Sequence, residues 1–265
     1  MAFDMVEGAR PDRRRIKAVA NALQLLEALK EAGEPVPLGR LSQQLGLSKG
    51  TVHLLLSTLS EYHFVEPALV HGQYRLGLGA FEVGIAAVDH RGMPPEIALP
   101  MERLASESLE AVSLAVQSGH DALIVRRFES AHILRAEIGV GTRMPLYASA
   151  SGKSLLAEMP QVRLDALYPA EDLPNASADH NRIRTKSQLR KELERVRRQG
   201  YATNQDEFVV GVAAVARVVR DRQGQAVASL SIAGPTARFD GRRWIEPLVR
   251  TADEMTGILG FRARQ

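Results

Sequence analysis

The chain has 265 residues, of which 45% are apolar and 25% charged, so it can bury a sizeable core in one or two domains. It contains no cysteine, which excludes disulfides, thiolate zinc sites and cysteine nucleophiles. The net charge is only +3, no apolar run approaches the roughly 20 residues of a membrane span, and the charged N-terminus is unlike a secretory signal. We therefore expect a cytoplasmic protein without a membrane partner.

The N-terminal region begins with a basic arm and a helix. Residues 1–15 lack periodicity, and we predict a disordered arm in which Arg14 and Arg15 lie along DNA phosphates. A solvated tail without a partner explains the same charges equally well. Apolar residues at helical spacing predict a first helix over Ile16–Ala32, which Gly33 ends.

Residues 37–59 show the pattern of a helix-turn-helix. Leucines at helical spacing give a short helix, Gly46 interrupts it, and a second amphipathic helix begins at Ser48. The second helix of this motif fits the major groove of B-DNA, with its N-terminal residues at the base edges. A DNA reader is therefore the first hypothesis for this region.

Two short strands are predicted after the second helix. They cover Phe64–Val70 and Gln73–Leu76 and are joined across His71-Gly72. Three helices and a hairpin make a winged helix-turn-helix domain, which we assign to residues 16–77. A linker helix follows in residues 78–94, and it can also pack against its copy in a second subunit. Charge gives weaker support, because residues 1–91 hold 10 basic and 10 acidic side chains.

From residue 95 onward helices and strands alternate, which predicts an α+β domain over residues 95–265 with a mainly antiparallel sheet and flanking helices. Thr185 and Gln188 form a capping-box pair at the start of the clearest helix, and Gly200 ends it. The helices are predicted over 96–108, 152–158, 185–199 and 245–259. The strands are predicted over 111–117, 122–128, 133–137, 211–220 and 225–233.

The candidate DNA contacts lie mainly in the first turns of the second helix of the motif. Ser48 is its natural N-cap, and we expect it both to cap the helix and to face a phosphate. A solvent-facing helix residue explains His53 as well as a DNA contact does, and a surface charge explains Arg40 and Arg75 equally well. The full set of candidates is Arg14, Arg15, Arg40, Ser48, Lys49, Thr51, His53 and Arg75.

Motifs in a fixed order run along nearly the whole chain after residue 15. They include Leu47-Ser-Lys-Gly-Thr-Val-His53, Tyr74-x-Leu76-Gly77, Gly141-x-x-x-Pro145-Leu146, Gly152-Lys153, Glu207-x-x-x-Gly211-Val212 and Ser229-Leu230-Ser231-Ile232. In this order and spacing the chain resembles the IclR family of bacterial transcriptional regulators. The resemblance implies a winged helix-turn-helix, a linker helix and a GAF-like effector-binding domain. It also implies homodimers, or dimers of dimers, on double-stranded promoter DNA, with small organic acids or aromatic compounds as effectors.

The chain departs from the family pattern at four positions. Leu54 stands where many members carry Arg, and His63 where Gly is usual before the wing. Ala214 stands where some members have Cys, and Val218 where Pro is common. Leu54 removes one candidate contact to a phosphate or a guanine.

The candidate effector site combines apolar and hydroxyl side chains. Ser229 and Ser231 are two residues apart on one strand and so share a face, where two hydroxyls can orient a carboxylate or a phenol. A half-exposed strand face explains them without a ligand. The helix that begins near Gly152 can help to hold an anion through its dipole. With Asn204 and Ala214, which the resemblance adds, the candidates are Met144, Leu146, Leu155, Asn204, Ala214, Ser229 and Ser231.

Catalytic and metal-binding motifs are missing from the sequence. Gly152-Lys153-Ser154 is not a phosphate-binding loop, because Tyr147 occupies the position of the required first glycine. The seven histidines have no zinc-site spacing, and no Gly-x-Ser-x-Gly elbow occurs. Asp206 and Glu207 are an adjacent pair of carboxylates, but adjacent side chains in a strand point to opposite faces and cannot easily act together, so we interpret Glu207 as structural. We expect no enzyme activity, no cofactor and no metal.

The sequence thus predicts a ligand-responsive transcriptional regulator, either a repressor or an activator of a catabolic operon. The rival hypothesis is a cytoplasmic small-molecule-binding protein or enzyme whose N-terminal domain mediates protein contacts. The zero net charge of residues 1–91 and the presence of Leu54 favour this rival.

Overall fold

The N-terminal residues fold as a winged helix-turn-helix. Its helices are α1 (Lys17–Ala32), α2 (Leu38–Leu45) and α3 (Lys49–Glu61). Gly46, with a φ of +64°, makes the left-handed turn between α2 and α3, where a side chain would be strained. The predicted apolar stripes form the core of this domain, in which Leu25, Leu41 and Leu56 are among the fully buried side chains.

A three-stranded antiparallel sheet forms the wing. Its strands are β1 (Val36–Pro37), β2 (Val65–Pro67) and β3 (Gln73–Leu76), in the order β1-β3-β2. The strand predicted over Phe64–Val70 is too long, because residues 68–72 make a hydrogen-bonded turn in which the N–H of Ala68 donates to Gln73. Strand β1 was not predicted. The helix α4 (Leu78–Asp89) follows the wing.

The structure, a computed structural model, describes residues 15–89, 93–132, 138–174 and 182–261. The chain divides into two units, Met1–Ala87 and Val88–Gln265. The boundary falls inside α4, the helix that we predicted as a linker. The linker role itself stays a prediction.

A six-stranded antiparallel sheet lies at the centre of the second unit, with the strand order β6-β5-β4-β9-β8-β7. Its strands are β4 (Ala111–Ser118), β5 (Asp121–Phe128), β6 (Arg143–Pro145), β7 (Ala202–Gln205), β8 (Val212–Arg220) and β9 (Ala226–Pro235). The central strands β4 and β9 pair Ser113 with Ser231. The strand predicted over 133–137 lies outside the described residues, and β6 and β7 were not predicted.

Helices cover both faces of this sheet, which confirms the α+β class. They are α5 (Ala98–Ser108), α6 (Ala150–Ala157), α7 (Gln161–Leu167), α8 (Lys186–Gln199) and α9 (Ile245–Ile258). Helices α5 and α9 pack on one face, and α6 and α8 on the other. The helix predicted from Glu96 begins at Ala98, after a 3₁₀ turn over Pro95–Ile97, and α7 was not predicted.

Candidate functional site

The first turns of α3 present polar side chains to solvent. Ser48, Lys49, Thr51 and His53 are all exposed, whereas Val52 and Leu56 of the same helix are buried. The Oγ of Ser48 accepts a hydrogen bond from the backbone N–H of Thr51 at 3.1 Å and lies 2.9 Å from the Thr51 hydroxyl. Ser48 is therefore the N-cap, as predicted, and these four candidate DNA contacts are all accessible near the start of α3.

The candidate arginines near α3 are held in exposed ion pairs. Arg40 lies 3.5 Å from Glu34, and Arg75 lies 2.7 Å from Glu66. Exposed pairs of this kind contribute little free energy, so a phosphate can replace either carboxylate. Arg15 is exposed just before α1, and Arg14 lies outside the described residues.

A small cavity of about 40 Å³ lies between the sheet and the start of α6. Strands β4, β5, β7, β8 and β9 all contribute side chains to its lining. Met144 of β6 also lines it. Phe208 and Val209, from the segment after β7, also face it. The lining residues are Ser113, Ile124, Arg127, Ile138, Met144, Ser149, Ala150, Ser151, Asn204, Phe208, Val209, Val212, Ala214, Ser231 and Ala233.

Four of the seven predicted effector residues line this cavity: Met144, Asn204, Ala214 and Ser231. The other three do not line it in this structure. Leu146 is fully buried and packs against Gly152, where a Cβ would lie 2.3 Å from the Leu146 backbone. Leu155 belongs to the core between α6 and α8. Ser229 shares a face with Ser231, but α6 covers it, and its hydroxyl lies 2.7 Å from that of Ser154.

Arg127 is the charged lining residue among those that were not predicted from the sequence. Its side chain is only 4% exposed, its Nε donates to Glu129 Oε1 at 2.9 Å, and one terminal amino group donates to Ser113 Oγ at 2.9 Å. The adjacent Arg126 on β5 instead donates to the backbone of Pro95. Because side chains alternate along a strand, Arg126 and Arg127 face opposite sides of the sheet.

The N-terminus of α6 opens onto the cavity. Ser149 caps this helix by accepting a hydrogen bond from the N–H of Gly152 at 3.1 Å. Helix N-terminal N–H groups carry partial positive charge and attract anions. The three residues at this end, Ser149 to Ser151, all line the cavity. The positive end of the α6 dipole, which we predicted would help to hold an anion, therefore lies at the cavity.

Lys153 and Glu207 join α6 to the roof segment, which we define as residues 206–211. The Nζ of Lys153 donates to both carboxylate oxygens of Glu207, at 2.7 and 2.9 Å, and its side chain is only 1% exposed. Lys153 is thus committed to an internal ion pair and is not part of a phosphate-binding loop. Glu192 of α8 lies 3.6 Å from the same ammonium.

Asp206 and Glu207 lie in the roof segment and not in a strand. Strand β7 ends at Gln205, and Asp206 takes a left-handed conformation with a φ of +60°. Its Oδ1 accepts hydrogen bonds from the Gly211 N–H at 2.7 Å and the Thr236 hydroxyl at 2.9 Å. These bonds close the segment into a loop whose Phe208 and Val209 face the cavity.

Electrostatics around α8 favour the charged form of Glu192. Burial raises the pKa of this carboxyl, but hydrogen bonding and charge from Arg195 and Lys153 outweigh burial and hold the pKa below its ordinary value. Lys153 therefore has two carboxylate neighbours, Glu192 and Glu207.

A larger groove of about 550 Å³ lies elsewhere in the second unit, beside the ends of α6 and α8. Three arginines line it, but Arg217 is bonded to Asp253, and Arg220 to Glu158. None of the predicted effector residues lines this groove. The smaller cavity is therefore the candidate ligand site.

Across the described parts of the chain, no group of three or more His, Cys, Asp or Glu side chains is arranged to hold a metal ion. No helix within those same residues is long and apolar enough to cross a membrane.

Comparison with known families decides the assignment. The family model of the bacterial transcriptional regulator IclR C-terminal domain matches residues 85–256, and that of the IclR helix-turn-helix domain matches residues 18–68. The chain belongs to the IclR family. This confirms the resemblance found in the sequence. An IclR-family protein is a DNA-binding transcriptional regulator with an effector-binding C-terminal domain.

Curated relatives and solved structures agree with the IclR assignment. The chain is 29% identical over 255 residues to the transcriptional repressor IclR of Escherichia coli K12, covering 94% of this chain and 92% of the repressor. It is 32% identical over 253 residues to the repressor AllR of Salmonella typhi, covering 93% and 91%. These relatives are repressors and not enzymes, which confirms that the chain is not an enzyme.

An IclR homologue from Microbacterium hydrocarbonoxydans, solved in complex with 4-hydroxybenzoate, has the same fold. Its TM-score is 0.79 at 23% identity, and the match covers 91% of this chain and 98% of that one.

Proposed function

We propose that this IclR-family chain is a ligand-responsive regulator of a catabolic operon that reads promoter DNA through α3 and binds a small organic or aromatic acid in the cavity beside α6. One observation carries the proposal. The same chain presents an exposed, correctly capped recognition helix and, in its second unit, a cavity lined by four of the residues predicted for an effector. Such a protein acts in the cytoplasm, where bacterial DNA lies.

The DNA side of the proposal assigns different roles to different residues. Lys49 and Thr51 lie in the first turn of α3 and contact base edges, because this turn of a recognition helix enters the major groove most deeply. His53 follows on the same exposed surface. Arg40, Arg75 and Arg15 contact phosphates and set affinity without reading sequence.

The ligand side requires the cavity to open. About 40 Å³ holds one or a few water molecules, whereas pockets for small organic ligands are roughly 300–1,000 Å³. The roof segment is the part that moves, because it joins β7 to β8 without regular secondary structure. The hydrogen bonds of Asp206 and the ion pair of Glu207 tie it to the rest of the unit. The Microbacterium homologue binds 4-hydroxybenzoate, which supports an aromatic acid of that size as a first candidate.

The protein acts as a homodimer or as a dimer of dimers. In the first unit, α1 and α4 each expose apolar side chains at helical spacing, among them Leu23 on α1 and Phe81 on α4, which are 58% and 63% exposed. A second copy of the chain covers these stripes. Ligand binding then controls DNA binding by having different affinities for the DNA-competent and DNA-incompetent arrangements of the dimer.

Fluorescence anisotropy with the upstream intergenic DNA of its own gene tests this function. We expect tight binding to that duplex and weak binding to a scrambled one, at two salt concentrations. Lys49→Ala and Thr51→Ala should reduce the preference for the operator, whereas Arg15→Ala should weaken binding to both duplexes and flatten the salt dependence.

The matched control is Lys30→Ala, which removes an exposed lysine of α1 away from the recognition helix and should leave the operator preference intact. An unchanged preference in Lys49→Ala would show that α3 does not read the bases. Equal, weak binding of the wild type to both duplexes, with and without candidate acids, would favour the rival hypothesis of a domain that contacts proteins.

A further inference from the structure

The only charged side chain that lines the cavity, among the described residues, is Arg127. A guanidinium is protonated at every physiological pH, and a charge that is 96% removed from solvent is costly unless an anion balances it. In the present structure the anion is Glu129, which lies 2.9 Å from the Arg127 Nε. The cavity therefore contains a cation whose counter-ion comes from the edge of the site.

Glu129 is a replaceable counter-ion. Its side chain is 48% exposed, so water can solvate its carboxylate when it leaves Arg127. The carboxylate of Glu129 is therefore open to replacement by another anion that reaches Arg127. Ser113, in contrast, is buried beside Arg127 on the neighbouring strand and stays in place.

The hydrogen bonds of Arg127 occupy two of its three nitrogen atoms. Its Nε and one terminal amino group are used by Glu129 and Ser113, and no acceptor among the described residues pairs with the other amino group. A carboxylate accepts two parallel N–H bonds from a guanidinium, which gives the pair both strength and orientation. The N-terminal residues of α6 line the same cavity and add favourable potential for an anion.

We propose that Arg127 binds the carboxylate of the ligand and that this carboxylate replaces Glu129 as its counter-ion. The inference rests on the proposed function, whose ligand it specifies as a monocarboxylate with an apolar body. One cation pairs with one anionic group, and the apolar side chains of Ile124, Met144 and Phe208 surround the rest. Neutral compounds of the same shape leave Arg127 with Glu129 and gain nothing from it.

The test compares three acids with their matched primary amides. Benzoate, 4-hydroxybenzoate and hexanoate are titrated against benzamide, 4-hydroxybenzamide and hexanamide by isothermal calorimetry and thermal shift. In the wild-type protein we expect at least one acid to bind about 10-fold or more tightly than its amide, because hydrogen bonds to charged groups contribute roughly 1.5–3 kcal/mol. Arg127→Gln should lower the affinity for that acid about 10- to 100-fold.

The matched control is Arg126→Gln, which removes the neighbouring positive charge on the opposite face of β5 and should leave acid binding unchanged. Glu129→Gln should tighten acid binding up to about fivefold, because the competing carboxylate is gone. This variant also decides the matter if Arg127→Gln fails to fold, since unchanged or weaker acid binding in Glu129→Gln contradicts the exchange.

Three further results would overturn the proposal: amides that bind as well as acids, acid binding that survives in Arg127→Gln, and a wild type that binds none of the three acids. Binding of the ligand-free protein to operator DNA is measured separately. A failure of the carboxylate site therefore leaves the DNA-reading function standing, and the converse also holds.

Discussion

Lys153 is unusual for a lysine because its side chain is buried and its charge is paired inside the protein. Its side chain is 1% exposed, and both oxygens of Glu207 lie within 2.9 Å of its ammonium. Removing one partner of a buried ion pair leaves an uncompensated charge, which is more harmful than removing both partners. The pair therefore does two things at once: it neutralises Lys153 and it ties the roof segment to α6.

Replacement of Glu207 by glutamine should show this asymmetry. We expect Glu207→Gln to lower the free energy of unfolding of the second unit by about 2 kcal/mol, because Lys153 loses its closest counter-ion and keeps Glu192, 3.6 Å away, as a weaker one. The double variant Lys153→Met/Glu207→Gln should recover part of this loss. Urea denaturation followed by circular dichroism measures both.

An exposed ion pair of the same unit provides the control for that series. Glu107 lies 3.2 Å from Arg250, and both side chains are about half exposed, at 49% and 64%. Glu107→Gln should change the unfolding free energy by less than about 1 kcal/mol. Equal losses in Glu107→Gln and Glu207→Gln would mean that burial does not set the strength of the Lys153 pair.

Some site residues could be predicted from the sequence and others could not. Candidates on α3 were visible because Ser48 marks the start of the helix, and Lys49 and Thr51 follow it in the first turn. Arg127 was not visible, because Arg126-Arg127 places one arginine on each face of β5 and periodicity does not say which face a helix will cover. His63 shows a different limit: it adopts the left-handed conformation, with a φ of +60°, that glycine usually supplies at this point in the family.

At the scale of elements, α3 depends on its Ser48 cap, which we also expect to approach a phosphate of the DNA. Ser48→Ala should destabilise the first unit by about 1 kcal/mol, because the Thr51 N–H loses its acceptor. Ser48→Asp keeps a capping oxygen and should retain the stability, but its negative charge should weaken DNA binding by repelling phosphates. Thermal unfolding and anisotropy separate the two effects.

Ser57, which is exposed in the middle of α3, supplies the matched control. Ser57→Ala should leave both the stability and the DNA affinity close to those of the wild type. Unimpaired DNA binding in Ser48→Asp would show that this end of α3 does not approach a phosphate.

Helix α8 makes the second unit sensitive to acid. The pKa of Glu192 is held below its ordinary value of about 4.5, so its charge contributes stability above that value. This contribution should disappear as the pH falls from about 4.5 through the lowered pKa. Glu192→Gln should therefore flatten the loss of stability in this range, as measured by chemical denaturation at a series of pH values.

The neighbouring Glu194, which is exposed on the same helix, is the control for the acid series. Glu194→Gln should leave the pH profile unchanged in that range. A wild-type profile that Glu192→Gln does not alter would contradict the role of Arg195 and Lys153 in holding Glu192 charged.

Short elements were the ones that the sequence did not reveal. Helix α8 was predicted almost to the residue, because its capping box, apolar face and terminal glycine all agree. Strands β1, β6 and β7 have two, three and four residues, too few for an alternating pattern to stand out. Helix α7 is seven residues long and buries only Leu164, so its periodicity is equally weak.

At the scale of the whole molecule, the exposed apolar stripes of α1 and α4 predict self-association. Ile16, Val19 and Leu23 lie at intervals of three and four residues, and so do Leu78, Phe81 and Ile85. We expect Phe81→Ser to convert the dimer to monomers, because it places a hydroxyl in an apolar contact. Size-exclusion chromatography with light scattering measures the change.

Leu54 is the control for self-association, because it is also an exposed apolar side chain, at 68%, but lies on α3. Leu54→Ser should leave the oligomeric state unchanged. A wild type that stays monomeric at tens of micromolar would show that these stripes are not covered by a second copy of the chain.

Every one of the eight residues of α6 is buried, although this helix begins at the ligand cavity. Its backbone amides can therefore meet solvent deuterium only when the packing around them is lost. In a hydrogen-exchange experiment α6 should be among the slowest segments of the protein, and its rate should report the global stability of the second unit. An acid that binds beside α6 stabilises the folded state and should slow the exchange of these amides, the more so the more tightly it binds. The exchange rate of α6, a fully buried helix, therefore gives a quantitative measure of ligand binding.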